Sequence, residues 1–384
     1  MILQKVDYQE FSGTASNWIL KDLVLEKINL LVGKNATGKT RTINVISKLI
    51  NILADKKISC ISSMYCSVEF TDNHDSYNYT INIENDRVLE EKLCINKKVM
   101  LERNDNGKGK IWYSKANESM ELQVPSNKLV IVSRWGDDIQ HPYLRTLYNW
   151  VKATKKYEFG KIFDKDWGIP IVDMEIDLKN LDPHEITDPI WAFLAGCQEF
   201  GKIFQDKIIS FMGCLDYKLD NIFLAPTPYL PELSQDGRPF LALQVNEIDR
   251  NCILYQNEMS NGMYGAFALV ILIIYHYMKK SASTILIDDI GEGLDFDRST
   301  KLIKLLIELA EKNDNIQLIM STNDRYVMNN VPLKYWQVIQ RSGGECQVYN
   351  YQNCKEKFDE FKYMGLNNFD FLATDYINSE WKKA

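Results

Sequence analysis

The spacing of apolar residues changes period several times along the chain, and each change predicts a different kind of element. Runs 2–11 and 18–25 and the short apolar run Ile28–Val32 have strand character. A glycine-containing stretch follows. Ile43, Ile46, Leu49, Ile50 and Leu53 then recur every three or four residues, which predicts a helix. From Tyr65 to Ser133 the pattern becomes alternation, as in Cys66-Ser-Val-Glu-Phe70 and Tyr77-Asn-Tyr-Thr-Ile-Asn-Ile83, with Asn/Asp/Gly turns such as Asp105-Asn-Gly107. This predicts an antiparallel β-subdomain ending in an apolar strand over 128–133.

Helical spacing returns between 150 and 250. Asp188-Pro189 forms a cap and first turn, and Ile190, Phe193, Leu194, Cys197, Phe200, Phe204, Ile208, Phe211, Met212 and Leu215 keep one face. The proline-rich stretch 225–231 predicts a turn or exposed loop, and strands resume at 240–245 and 253–256. An apolar helix over 267–278 precedes the strand Thr284–Asp288, a helix over 299–310 and a strand over 317–320. The order predicts an α/β fold with a mixed central sheet, an antiparallel β-subdomain and a helical insert. Its expected divisions are 1–149, 150–250 and 251–384.

The stretch Gly33-Lys34-Asn35-Ala36-Thr37-Gly38-Lys39-Thr40, between strand and helix, has the form G-x-x-x-x-G-K-[ST]. Strand, glycine loop and helix bring backbone N–H groups and the positive helix end onto one anion. Lys39, a solvated loop lysine in this reading, would reach the β- and γ-phosphates of a nucleotide, and the Thr40 hydroxyl would hold Mg²⁺. Arg41 follows directly and joins this set. Trp18 has two readings, a base-stacking surface or a packed strand residue. At the far end of the sequence, Asp288, Asp289, Glu292 and Asp295 follow an apolar strand, an arrangement that presents a metal ligand and an adjacent base beside a phosphate.

Composition narrows the class. The 384 residues are 45% hydrophobic and 25% charged, enough for one large or two modest α/β domains. The formal net charge of -7 argues against a surface that coats nucleic acid, leaving only a local basic groove as a route to DNA. Eight cysteines without C-x-x-C pairs or zinc spacing read for the most part as buried thiols of a reducing cytosol. The N-terminus lacks the apolar core of a signal peptide, and the longest apolar run, 266–275, is about half of a bilayer span. No membrane association is expected, and that run reads as a buried helix.

Taken in order, G-K-N-A-T-G-K-T, the β-subdomain, the insert, Met259-Ser-Asn-Gly-Met263 and Ile285-Leu-Ile-Asp-Asp-Ile-Gly-Glu-Gly-Leu-Asp295 resemble the ABC-type ATPase heads of the SMC, RecF and OLD-like group. Within that group the chain is similar to small ATP-binding proteins of bacterial anti-phage systems. The resemblance implies a P-loop NTPase with ATP and Mg²⁺ as cofactors and a homodimer or higher oligomer that sandwiches the nucleotide. Ser260, Asn261 and Gly262 of one copy would face the γ-phosphate held by the other, and Asp295 would bridge the interface. It also implies Asp288 as metal ligand, Asp289 or Glu292 as catalytic carboxylate beside Lys39, and Gln140 as the metal-facing glutamine of a sensor loop. The sensor loop would occupy Arg134, Asp137, Asp138, Gln140 and His141, after the 128–133 strand.

Two departures from the group affect turnover. Asp289 stands where a glutamate is usual, shorter by about 1.5 Å, and a misplacement near 1 Å costs about a hundredfold in rate. Asn323 stands where a histidine is usual, and an amide cannot carry a proton as imidazole does. The resulting expectation is an ATP-driven, slowly hydrolysing ATPase switch that controls a separately encoded protein effector in anti-phage defence. The tail after Asn353 is too short for the nuclease domain of OLD-like enzymes, and the insert is too short for a chromosome organiser's coiled coil. The alternatives are a RecF-like DNA-repair ATPase, for which 152–161 offers only a modest basic cluster, and a nucleotide-bound scaffold that hardly hydrolyses ATP.

Overall fold

The computed structural model describes residues 1–54, 58, 60–159, 165, 168–170, 182, 186–227, 240–250, 252–281 and 284–378. Its contacts divide the chain into two units, each built from separate stretches: Met1–Thr154, Ser283–Leu286 and Ala310–Ala384 form the first, and Lys155–Ala282 and Ile287–Leu309 the second.

The first unit is built on a mixed sheet. Ile28–Val32 lies between Gln317–Ser321 and Trp336–Ser342 and runs parallel to both. All five of its residues are buried, as expected of a strand covered on both faces. Beyond Trp336–Ser342 the order continues through Glu345–Asn350, Trp18–Val24 and Ile2–Glu10 into the antiparallel ladder that begins at Ser63–Asp72 and ends at the hairpin Lys108–Tyr113/Glu118–Gln123. The alternation read from Cys66 onward is the inward face of this ladder: Cys66, Val68, Phe70, Tyr79, Ile81 and Ile83 are all buried in one core with Ile43, Ile46, Leu49 and Leu53 of the helix Lys39–Ala54.

The apolar strand expected over 128–133 is a helix instead, Val130–Ser133. β-Branched residues favour strands when a neighbour supplies the ladder. Here the first two amides of that segment bond to the Glu91 carboxylate, at 2.7 Å from Val130 and 3.0 Å from Ile131, which closes a helical turn.

In the second unit, Pro189–Phe200 begins as expected, with Asp188 accepting from the Ile190 and Trp191 amides at 2.8 and 3.2 Å. The long apolar face is broken at Gly201, whose φ of 58° ends the first helix before Lys202–Cys214 starts. Both pack on Asn261–Lys279. That helix is apolar and long enough to cross a membrane, yet 83% of its most apolar window is buried in the protein, making it a core helix. A separate antiparallel sheet pairs Leu219–Pro226, Phe240–Glu247 and Cys252–Tyr255. The proline-rich expectation at 225–231 lies mostly outside the described residues. The tail after Asn353 folds back as short helices carrying Phe358, Phe361 and Phe371, all buried.

Candidate functional site

In the first unit the 33–40 loop is closed by contacts only glycine permits. A Cβ on Gly33 would lie 2.6 Å from the Ile339 carbonyl oxygen and 2.7 Å from Thr37 Oγ1. Thr37 Oγ1 donates to the Lys34 carbonyl at 2.9 Å, tightening the turn. Gly38 takes a φ of 110° over a floor made by Trp18 and Cys346, whose nearest atoms would lie 3.4 Å from a Cβ there. Cys346 Sγ donates to the Thr37 carbonyl at 3.3 Å. Trp18 is therefore a floor residue, 1% exposed, and the base-stacking reading does not hold for it.

Lys39 departs from expectation. It is buried at 6% exposure, and its ammonium donates to the Gly33 and Lys34 carbonyls at 2.8 and 3.2 Å. It bridges the mouth of the loop, while Lys34, Asn35, Ala36 and Thr40 are exposed. Arg41 is directed elsewhere. Its guanidinium lies over the Trp18 ring at 4.5 Å and bonds Glu10 through Nε at 2.8 Å. Glu10 also accepts from Tyr8 OH and Lys48. Burial acts to raise the Glu10 carboxyl, but hydrogen bonds from Arg41 and Tyr8 outweigh it and hold the group below its usual range.

Asn323 follows the strand that neighbours Ile28–Val32. Ser321 is in register with Leu31, and the Thr322 amide donates to the Leu31 carbonyl at 3.4 Å. Asn323 lies two residues past the end of that strand and is exposed.

Gln140 does not share that neighbourhood in its hydrogen bonds. Its carbonyl accepts from Ser114 at 2.9 Å and its amide donates to Asp137 at 2.9 Å, which seats it beside the outermost hairpin. Its Oε1 is buried without a partner among the described residues. Upstream, Trp135 Nε1 donates to the Leu53 carbonyl at 3.0 Å, at the opposite end of Lys39–Ala54 from the loop. Arg145 pairs with Asp138, and His141 is buried against Trp112 and Tyr143. In the strand order it is Thr154–Glu158 that neighbours Thr284–Asp288.

In the second unit the acidic turn and the serine–glycine turn meet. Asp288, 3% exposed, ends a fully buried strand, and Asp289 turns the chain with a φ of 52°. The Glu292 amide then donates to the Asp289 carbonyl at 3.2 Å, leaving the Glu292 side chain exposed. Gly262 packs on the next turn so closely that a Cβ would lie 2.2 Å from the Gly293 carbonyl oxygen. Ser260 caps Asn261–Lys279 by accepting from Met263 at 3.2 Å; Ser260 and Asn261 are exposed. Asp295 is held below the usual carboxylate range, first by the Arg298 amide and then by its guanidinium.

These residues fit a magnesium nucleotide. The 33–40 loop of the first unit presents a glycine-lined cradle with a buried lysine at its mouth, and Thr40 offers an oxygen ligand. Among the described residues no three His, Cys, Asp or Glu side chains cluster into a metal cage. Mg²⁺ held by one or two protein oxygens plus substrate phosphates and water needs none.

Neither a protein-family model nor a curated protein matches the chain. A solved structure does: an SMC head bound to the C-winged helix domain of ScpA aligns over 91% of this chain and 97% of its own, with a TM-score of 0.51 at 12% identity. The chain has an SMC head-like fold. Its large mixed sheet, separate antiparallel sheet and helices are those of an ABC-type P-loop head. The SMC head domain from Thermotoga maritima (TM-score 0.46, 12% identity, 91% and 99% covered) and an Smc head domain with extended coiled coil derived from Pyrococcus furiosus (0.48, 12%, 94% and 99%) also align.

Proposed function

We propose that this chain is an ATP-dependent switch of the ABC type. Two copies close around ATP, hydrolyse it slowly, and in doing so control a separately encoded protein effector in cytoplasmic anti-phage defence. The observation that carries the reading is the 33–40 loop: a glycine-closed cradle in which buried Lys39 is held at the mouth by the loop's own carbonyls. Terminal phosphates would replace those carbonyls as acceptors for the Lys39 ammonium. Thr40 and Asp288 would hold Mg²⁺, which supplies charge neutralisation at the β- and γ-phosphates. Asp289 or Glu292 would take the proton of the attacking water, and Asn323 would hydrogen-bond the γ-phosphate region.

The interlocked turns at Gly262 and Gly293 support a single exposed surface bearing Ser260, Asn261 and Asp295, suited to face a second copy. A protein partner has a parallel in the SMC head described as bound to a domain of ScpA. The left-handed backbone at Asp289 and the amide at 323 also favour a second reading, a nucleotide-bound scaffold with very slow turnover.

Titration with labelled ATP, together with light scattering, tests the proposal. Wild type should bind Mg-ATP and shift from monomer to dimer, and Lys39→Ala should do neither. Because Lys39 is buried and hydrogen-bonded, the variant should also lose about 1–3 kcal/mol of stability. Wild-type nucleotide affinity in Lys39→Ala would remove the loop from the mechanism.

A further inference from the structure

We propose that Arg298 is a positioning residue that couples the inserted helix Lys202–Cys214 to the aspartate loop, so that the state of the insert sets the placement of Asp295. The inference rests on reading Asp295 as part of a nucleotide site.

The geometry lies within one unit. Asp295 Oδ1 accepts from the Arg298 amide at 3.0 Å, and Asp295 Oδ2 lies 2.5 Å from Arg298 Nη1. The guanidinium extends further: Nε donates to the Leu215 carbonyl at 3.2 Å, and its plane covers the Tyr217 ring at 4.3 Å. Leu215 follows the last residue of Lys202–Cys214, where helix carbonyls lack intrahelical partners and a cation is favoured. The turn there is fixed by the Leu215 and Tyr217 amides, both bonded to Met212, and by a left-handed Asp216. One turn along Phe296–Glu311, Lys301 pairs with Asp216. Two basic side chains on successive turns of one helix therefore hold the same short segment of the insert.

A purely local role explains only part of this. Capping by Asp295 needs the amide of residue 298, which almost any residue supplies. With Asp295 half exposed, its ion pair alone contributes little. Neither accounts for a guanidinium that also binds Leu215 and lies on Tyr217, which is itself buried at 8% exposure. On its other side the loop is fixed by Gly262 against Gly293. The insert also packs on the core helix, through Phe204 edge-on to Tyr275 at 6.5 Å, but near the end of Asn261–Lys279 opposite Gly262. Movement of Lys202–Cys214 is thereby transmitted to the aspartate loop through Arg298.

Hydrogen–deuterium exchange on the nucleotide-free full chain tests the coupling without reference to ATP. Tyr217→Leu and Arg298→Ala should each speed exchange of the Glu292 and Leu294 amides by about three- to tenfold, and the double variant should exchange no faster than Arg298→Ala. Arg298→Lys, which keeps the charge without the planar stack, should fall between. In single-turnover and steady-state hydrolysis, Arg298→Ala should lower kcat about tenfold with KM within about twofold, part of the hundredfold that a 1 Å displacement can cost. It should add nothing in an Asp295→Ala background. Loop exchange unchanged in both single variants, or losses that multiply in the Asp295/Arg298 double variant, would overturn the proposal. Absence of any wild-type ATP binding would instead sink the nucleotide reading, and the exchange result would still decide the coupling.

Discussion

Glu91 offers a test of how the β-subdomain is held to the segment that carries Gln140. It is fully buried in the middle of Arg87–Ile95. Its carboxylate accepts from the Val130 amide at 2.7 Å, the Ile131 amide at 3.0 Å and Tyr79 OH at 3.2 Å. Leu129 cannot cap the helix Val130–Ser133, so a side chain from a strand does it instead. Opposite in register stands Arg103, whose guanidinium donates to the Val88 and Lys128 carbonyls at 3.2 and 2.7 Å. Burial pushes the Glu91 carboxyl up to about 7, against the pull of the two amides, the Arg103 charge and Tyr79. The folded value lies above the ordinary 4.5. Protonation is therefore favoured in the folded state: this contribution is complete below about pH 4.5 and is lost as the pH rises through 7. The gap corresponds to about 3 kcal/mol. Glu91→Gln keeps an oxygen for the amides but cannot ionise. From pH 5 to pH 8 the wild type should lose stability relative to Glu91→Gln by up to about 3 kcal/mol, or ~6–12 °C in Tm. Thermal melts of both proteins across that range measure the difference, and groups shared by the two cancel. Parallel pH curves would refute the assignment.

Three further outcomes test the residues of the acidic and serine–glycine turns. Gly262→Ala forces a Cβ to within 2.2 Å of the Gly293 carbonyl; it should separate the two turns and abolish ATP-dependent dimerisation in light scattering while leaving nucleotide affinity of the monomer within about threefold. Asp288→Asn should impair Mg²⁺-dependent turnover by at least ~10²-fold yet spare Mg²⁺-free nucleotide binding, and equal losses in both titrations would count against a metal role. Asp289→Glu should raise the single-turnover rate if Asp289 is the base, and Asp289→Asn should slow hydrolysis and prolong the dimer. No change in rate with either would transfer the role to Glu292.

Local pattern carried much of the fold. The strand Ile28–Val32 and the helix behind it were legible because both are determined by near neighbours: a glycine loop with helical spacing after it. The cap at Asp188 was legible for the same reason. Val130–Ser133 was not, since Val130, Ile131 and Val132 after Leu129 read as strand and Glu91, about forty positions earlier, closes the helical turn. Lys39 shows the same limit at the site. Its type and spacing marked it as a phosphate ligand, but its burial depends on how tightly the loop closes over it, against Ile339 and Cys346 from strands near the C-terminal end. Gln140 was assigned from a strand end that does not exist, so the loop expected to follow the strand is instead anchored on Ser114 and Leu53.

The departure at Asp289 takes on a different meaning once its backbone is known. Aspartate and asparagine tolerate a left-handed conformation better than longer side chains do, because their short polar groups bond locally. A φ of 52° at this turn therefore favours the shorter carboxylate, and lengthening it is not the free change that a strand end beside solvent would allow. The same turn sets the path to Gly291 and Gly293, both at positive φ, and so to the contact with Gly262. The reach of the Asp289 carboxylate and the closure of the loop are thus tied to one backbone conformation. Asp289→Glu should cost about 1 kcal/mol in stability even where it speeds the chemistry, and Asp289→Gly should recover that stability while losing the rate. A glutamate variant as stable as wild type would show that the turn does not constrain the side chain, and the slow-switch argument would then rest on Asn323 alone.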